Sequence, residues 1–306
     1  MTETPSTGDI PAISLLHATR SRPDASVQMR SLWLQCAKNP TAIEHIFSID
    51  ADDEVSLKAT ESFNRTIVEN PNGSGKAYNQ AAAASTGRVL ILMADDVVPP
   101  RCWDEEILSR MPLENEPQVL AVWDGASPTA LVGWPVCTRA YYLQHPEFLG
   151  PYHGLFGDSE FSWRAYKAGC VKQARDIVFF HNHPLITSSS AMDDIYLHQN
   201  IPLEFLRSCA LFLRRNPDAL IVESDQQLWL CYQNPEGEYV PIQSLPPEVV
   251  MRECRDFPKV DYIKKGLGEE LGRRIQKIRE PEVAAKLFVN LEYTKEFTEK
   301  YFSGEI

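Results

Sequence analysis

Two apolar stretches of this chain run directly into aspartates. Ile43–Asp50 (IEHIFSID) ends in one and is followed by Ala51-Asp52-Asp53, and Val89–Ala94 (VLILMA) is followed by Asp95-Asp96. Short apolar runs bounded by turns read as buried strands. In an open α/β sheet, ligands bind beyond the carboxyl ends of the strands, where loops from several units converge. Asp50 and Asp52 are therefore expected on one rim with Asp95 and Asp96. Carboxylates gathered in this way repel unless a positive charge sits among them, and a hard divalent cation with oxygen ligands is the usual answer. Either pair alone also fits a solvated acidic turn. Two pairs on one rim favour the cation.

Three other groupings have the residue types for chemistry. Gly157-Asp158-Ser159-Glu160 opens a predicted helix and places two carboxylates at its N-terminus, where the helix dipole favours the ionised form. That suits a proton acceptor, and it also suits simple capping by Asp158. His181 and His183 stand two apart after a predicted strand, so one imidazole can face the rim while the other packs structurally. Gly73-Ser74-Gly75-Lys76 suggests a P-loop but fails the motif, because its first glycine would fall at Asn70 and Ala77 follows the lysine. A glycine turn before a helix still offers N–H groups to a phosphate. Trp134, Trp163 and Tyr166 suit either stacking on a sugar ring or packing in the core.

The elements that must position these residues alternate strand and helix over the first 200 residues, the pattern of βα units on a mostly parallel sheet. Strands are predicted at Ala12–Ala18, Ile43–Asp50, Arg65–Glu69, Val89–Ala94, Val119–Trp123, Leu131–Cys137 and Ile177–Phe180. Helices are predicted at Val27–Lys38, at the alanine-rich Lys76–Thr86 and at Ser159–Ala168, the last closed by Gly169. From about residue 200 helical patterns dominate, at Pro202–Arg214, Tyr262–Lys277 and Pro281–Tyr301, with a hairpin around Leu228–Pro241 turning at Asn234–Gly237. Residues 1–200 are thus expected to form the catalytic domain and residues 201–306 a mainly helical region packed on it.

Composition narrows the function classes. The 306 residues carry a net charge of −12, which argues against a general nucleic-acid binder or a protein of anionic membrane surfaces. Hydrophobic residues at 43% and charged residues at 24% are those of a globular chain. Seven widely spaced cysteines with no C-x-x-C indicate neither a disulfide framework nor a zinc knuckle, so reduced thiols in the cytoplasm are expected. The polar start MTETPSTGDIP is no signal peptide, and no run of about 18 apolar residues is present to span a membrane.

Taken in order, these segments resemble the family 2 glycosyltransferases of the GT-A fold. The resemblance rests on Ile13–Arg20 followed by Pro23, Ser48–Asp53, Gly75–Asn79, Leu90–Pro100, Gly157–Gly169 (GDSEFSWRAYKAG) and His181–Pro184. It covers roughly residues 10–190. It implies a Rossmann-like, mostly parallel sheet flanked by helices, and transfer of a sugar from a UDP- or GDP-sugar to the hydroxyl of a glycan or small-molecule acceptor. It further implies that His17, Thr19 and Arg20 meet the nucleotide, that Asp50 binds the base or ribose with Asp52 close by, and that Lys76 and Asn79 lie against the donor. Asp95 and Asp96 match the family's metal-binding acidic motif, with Asp95 taken as a donor-binding residue. Asp96, with His181 or His183, would hold Mn²⁺ or Mg²⁺. Asp158 and Glu160 match the acidic motif in which a carboxylate acts as catalytic base.

The chain departs from the family at Met93-Ala94, where the metal motif usually begins with an aspartate. Metal binding then rests on one aspartate and a histidine. Direct displacement at the anomeric carbon, with the base taking the acceptor proton, would invert the configuration. Two other readings compete. A sugar-nucleotide nucleotidylyltransferase would carry glycines after the first strand, which Thr19–Asp24 lacks, and a non-catalytic nucleotide-sugar scaffold draws support from the missing aspartate. The last third is left to shape the acceptor site or to meet a second copy of the chain as a homo-oligomer interface.

Overall fold

The computed structural model describes residues 10–71, 73–111, 116–125, 127–182, 202–224 and 227–254. The chain divides into two units. Residues 1–126, 132–151 and 164–182 form the first, and residues 127–131, 152–163 and 183–306 the second.

The first unit is built on a seven-stranded sheet. β1 (Ile13–Thr19), β2 (Ile43–Asp50), β3 (Arg65–Val68) and β4 (Val89–Met93) are parallel and lie in the order β3-β2-β1-β4. Two short strands, β5 (Val97–Val98) and β9 (Phe180–His181), form a separate antiparallel ladder. The large sheet continues through β6 (Val119–Trp123), β7 (Val136–Thr138) and β8 (Val171–Val178) in the order β4-β7-β6-β8, with β7 antiparallel to both neighbours. Every residue of β4, and every residue of β1 except Ala18, is buried. Strands buried along their length in this way belong to parallel sheets covered on both faces.

Five helices accompany these strands: α1 (Pro23–Cys36), α2 (Glu54–Ala59), α3 (Gly73–Ala84), α4 (Trp103–Arg110) and α5 (Arg139–Gln144). α1 begins four residues before the expected Val27, because Pro23 supplies a preset φ in the first turn. The expected strand Leu131–Cys137 narrows to β7, and Ile177–Phe180 is divided between the end of β8 and β9. Buried Ala77, Ala81 and Ala82 let α3 lie close to the sheet. Trp33 meets Trp103 and Phe179 edge to face, at 5.0 and 4.9 Å between ring centroids. Each such pair contributes about 0.5–1.5 kcal/mol beyond its buried area. Both indoles are satisfied: Trp33 donates to the Val97 carbonyl at 2.7 Å and Trp103 to the Trp33 carbonyl at 2.9 Å.

At the amino ends of β1, β2 and β4, Gly87 donates its N–H to Ser14 Oγ at 2.8 Å and to the Glu44 carboxylate at 2.7 Å. A Cβ on Gly87 would lie 2.4 Å from Ser14 Oγ and 2.7 Å from the Ser14 nitrogen. Only glycine fits there.

α6 (Gly157–Lys167) starts two residues before the expected Ser159. In the second unit, α7 (Pro202–Arg215), β10 (Ile221–Ser224), β11 (Gln227–Gln233), β12 (Tyr239–Leu245) and α8 (Pro247–Glu253) follow in sequence. The three strands form an antiparallel sheet, and β11 and β12 make the expected hairpin. Its turn is closed by Gly237 N–H donating to the Asn234 carbonyl, with Gly237 at φ +84°. The bidentate pair Arg214–Glu253, at 2.8 and 3.0 Å, ties α7 to α8. The helices expected at Tyr262–Lys277 and Pro281–Tyr301 lie outside the described residues, as does His183.

Candidate functional site

The parallel register sets up the rim. His17 stands opposite Phe47 on one side and Met93 on the other, and His45 stands opposite Leu15. Side chains two apart on a strand share a face, so His17 and His45 fall on the same face of neighbouring strands. Their imidazoles meet, His17 Nδ1 to His45 Nε2 at 3.0 Å. The other nitrogen of His17, Nε2, reaches Asp95 Oδ1 at 2.8 Å, and the Thr19 hydroxyl donates to Asp95 Oδ2 at 2.9 Å. His17 is wholly buried, and the Asp95 side chain is only 6% exposed. The His17 imidazole therefore meets the rim through Asp95.

The aspartates after β2 are neutralised differently. Arg20, after β1, donates to Asp50 at 2.7 Å and to both oxygens of Asp52 at 2.6 and 2.8 Å. The guanidinium holds the Asp52 carboxyl below its usual range, and the two carboxylates raise the pKa of Arg20. Asp53 accepts from the Ser21 N–H at 2.6 Å and caps α2 through the Ser56 N–H. The loops after β1 and β2 are thus laced together by charge.

Asp96 lies beside a strand remote in sequence. Val97 pairs with His181 in the β5–β9 ladder, and the Asn182 N–H donates to the Asp96 carbonyl at 2.8 Å. This brings His181 Nε2 to 3.4 Å from Asp96 Oδ2, with each side chain about one-fifth exposed. Trp134 packs edge to face on the His181 ring at 4.8 Å. A Mg²⁺-type ion against a diphosphate needs only one or two protein carboxylates, since waters and phosphate oxygens fill its other positions. Asp96 with the adjacent imidazole fits that requirement. Among the described residues no cluster of three or more potential ligands occurs.

The α3 residues take other partners. The Asn79 amide donates to the Gly150 carbonyl and accepts from the Leu149 N–H, both at 2.8 Å, and Lys76 Nζ turns back to the Asn70 carbonyl. Asn79 therefore orders the 149–150 turn. Tyr78, which sequence reasoning passed over, donates to the Met93 carbonyl at the end of β4 at 2.9 Å. Burial pushes its phenol strongly up, so it stays protonated.

In the second unit the two acids of α6 differ. Glu160 is buried, bonded by the Tyr152 hydroxyl, and gripped by Arg215 of α7 with Nε and Nη2 each 3.3 Å from a carboxylate oxygen. Asp158 is half-buried and accepts from the Ser159 N–H at 2.8 Å. Tyr152, Arg215 and His45 were not legible as partners, because they pair across elements. The one signal was a polar residue standing inside an apolar strand, as His45 does.

The mostly parallel α/β sheet with flanking helices is consistent with a GT-A-like fold. No protein-family model matches the sequence, and no curated protein matches it. Solved structures do. S. aureus TarS 1-349 in complex with UDP-GlcNAc matches with a TM-score of 0.50 at 13% identity, over 67% of this chain and 66% of that one. The mannosyltransferase PcManGT from Pyrobaculum calidifontis, in complex with GDP-Man and Mn²⁺, matches with 0.48 at 13% identity, over 70% and 66%. The chain spans just under two thirds of the length of those proteins. At such identity the likeness to TarS shows the fold alone.

Proposed function

We propose that this chain is a glycosyltransferase that moves a hexosyl group from a UDP- or GDP-sugar to an acceptor hydroxyl, with inversion. The observation that carries the reading is the acidic rim at the ends of β1, β2 and β4, with His181 brought to Asp96, on a fold shared with a protein solved with UDP-GlcNAc. Asp50 and Asp52, with Arg20, would recognise the nucleoside, and Asp95 would border it. Asp96 and His181 would hold Mn²⁺ or Mg²⁺, which when bound neutralises charge on the diphosphate leaving group. Lys76 is assigned to the donor side.

Asp158 is the proposed base. Both Glu160 oxygens already have partners in Arg215 and Tyr152. Asp158 takes the acceptor proton as the hydroxyl oxygen bonds to the anomeric carbon and the bond to the diphosphate breaks. Glu160 then holds the helix start. The competing reading, a nucleotide-sugar-binding protein without catalysis, is favoured by Met93-Ala94 in place of an acid.

Melting curves with UDP and GDP, with and without Mn²⁺, test the binding half, because a ligand of the native state raises Tm. One nucleotide should shift Tm more with Mn²⁺ than without it. Donor hydrolysis tests the rest. Binding with no turnover above buffer supports the scaffold, and no shift with either nucleotide removes the donor site.

A further inference from the structure

The buried His45, His17 and Asp95 side chains form one continuous array. His45 is buried, and that burial pushes its pKa well down, so the ring carries one N–H. Its Nδ1 is buried with no hydrogen-bond partner. An orphaned buried N–H costs more than an orphaned lone pair, so the proton belongs on Nε2, where His17 Nδ1 accepts it at 3.0 Å. With Nδ1 acting as acceptor, His17 keeps its own N–H on Nε2 and donates it to Asp95 at 2.8 Å. Thr19 donates to the second Asp95 oxygen at 2.9 Å. Every donor in this array points toward Asp95.

We propose that His45 and His17 are positioning residues of the nucleotide rim, forming a directed hydrogen-bond chain that, together with Thr19, fixes Asp95 so that its neighbour Asp96 is the carboxylate presented to the cation-bound diphosphate. The inference rests on the nucleotide-sugar reading above. It assigns a role to His45, and it moves His17 from a direct nucleotide contact to an indirect one. The chain acts through Asp95 in the turn after β4, while His17 and His45 share one face of β1 and β2. Outer partners of this kind typically alter metal affinity about 10–100-fold when removed.

Two measurements on the full chain test it. The first needs no variant: long-range ¹H–¹⁵N spectra of the histidine rings should show His17 and His45 both as Nε2–H tautomers. A proton on His45 Nδ1 overturns the proposal. The second is calorimetry of UDP and GDP in Mn²⁺ on the wild type, H17F, H17Q, D95A and the H17F/D95A double variant. H17F should weaken the wild-type nucleotide by about tenfold or more. H17Q, whose amide can replace the Nε2–H, should recover most of that loss. In a D95A background, which offers His17 Nε2–H no acceptor, H17F should add little further. If H17F and H17Q bind as the wild type does, the positioning role is overturned while the nucleotide reading stands. If the wild type binds neither nucleotide, the nucleotide reading itself fails and takes this role with it.

Discussion

After β4, Asp95 takes its hydrogen bonds from His17 and Thr19, while the adjacent Asp96 faces His181 from a partly exposed position. At the start of α6, Glu160 is buried against Arg215 and Tyr152, while Asp158, two residues earlier, is half-buried and bonded within its own turn. In both regions two nearby acids are divided into one gripped by its surroundings and one nearer the surface. The means of grip differs. Near β4 the partners are imidazoles and a hydroxyl, whose hydrogen bonding depends on protonation and tautomer. At α6 the main partner is a guanidinium, which stays charged at any pH a protein survives. Proximity in sequence therefore does not make two carboxylates equivalent, and the neighbour that neutralises each one decides its use.

The largest expected effect separates the acids of α6. Asp158→Asn should lower turnover by roughly 10²–10⁴ with little change in Tm, as loss of a general base does. Glu160→Gln should do the reverse, lowering Tm while turnover per folded molecule stays within a few-fold, because Arg215 loses a buried ionic partner. An exchange of those two phenotypes would reverse the assignment.

Next in size, Asp96→Asn should weaken Mn²⁺-dependent nucleotide binding by about 10–100-fold. Chelator should bring the wild type down to the level of the variant. Equal affinity in chelator and in Mn²⁺ would take the cation out of the β4 region.

The smallest effect is on acid stability, and it should arise in the first unit. His45 is held well below the ordinary histidine pKa in the folded chain. The unfolded chain therefore binds more protons as the pH falls through about 6.5, and stability declines from there downward. Tm should drop between pH 7 and 5, and His45→Gln should flatten that slope. It should not abolish it, because His145 is also pushed down, by burial and by Arg164. A slope unchanged in His45→Gln would mean that His45 carries no such linkage.

How much of this was legible in the sequence follows from how local each signal is. β4 and β6 were readable as unbroken apolar runs, and β1 and β2 as short, mainly apolar runs bounded by turn residues, none of which needs a partner to be recognised. β8 was recognised only at its end, since an edge strand with exposed Lys172, Gln173 and Asp176 carries no such run. α4 follows Pro99-Pro100 and opens at Cys102 in a left-handed conformation (φ +57°), a start that no propensity marks. The acidic strand ends were likewise visible as polar residues closing apolar runs. Their partners were not. Arg20 reaches Asp52 across 32 residues and His17 reaches Asp95 across 78, and strand register sets both distances.

Gly87 carries the site's dependence on register to its far end. It lies six residues before Met93 on β4, roughly 20 Å away along an extended strand. Any side chain there would wedge β4 away from β1 at the Ser14 contact, and a packed strand transmits such a shift along its length. Position 87 touches no acid of the rim, yet in a library of random variants its losses would look like those of an active-site residue. A designer who wished to diversify this scaffold would have to leave it alone.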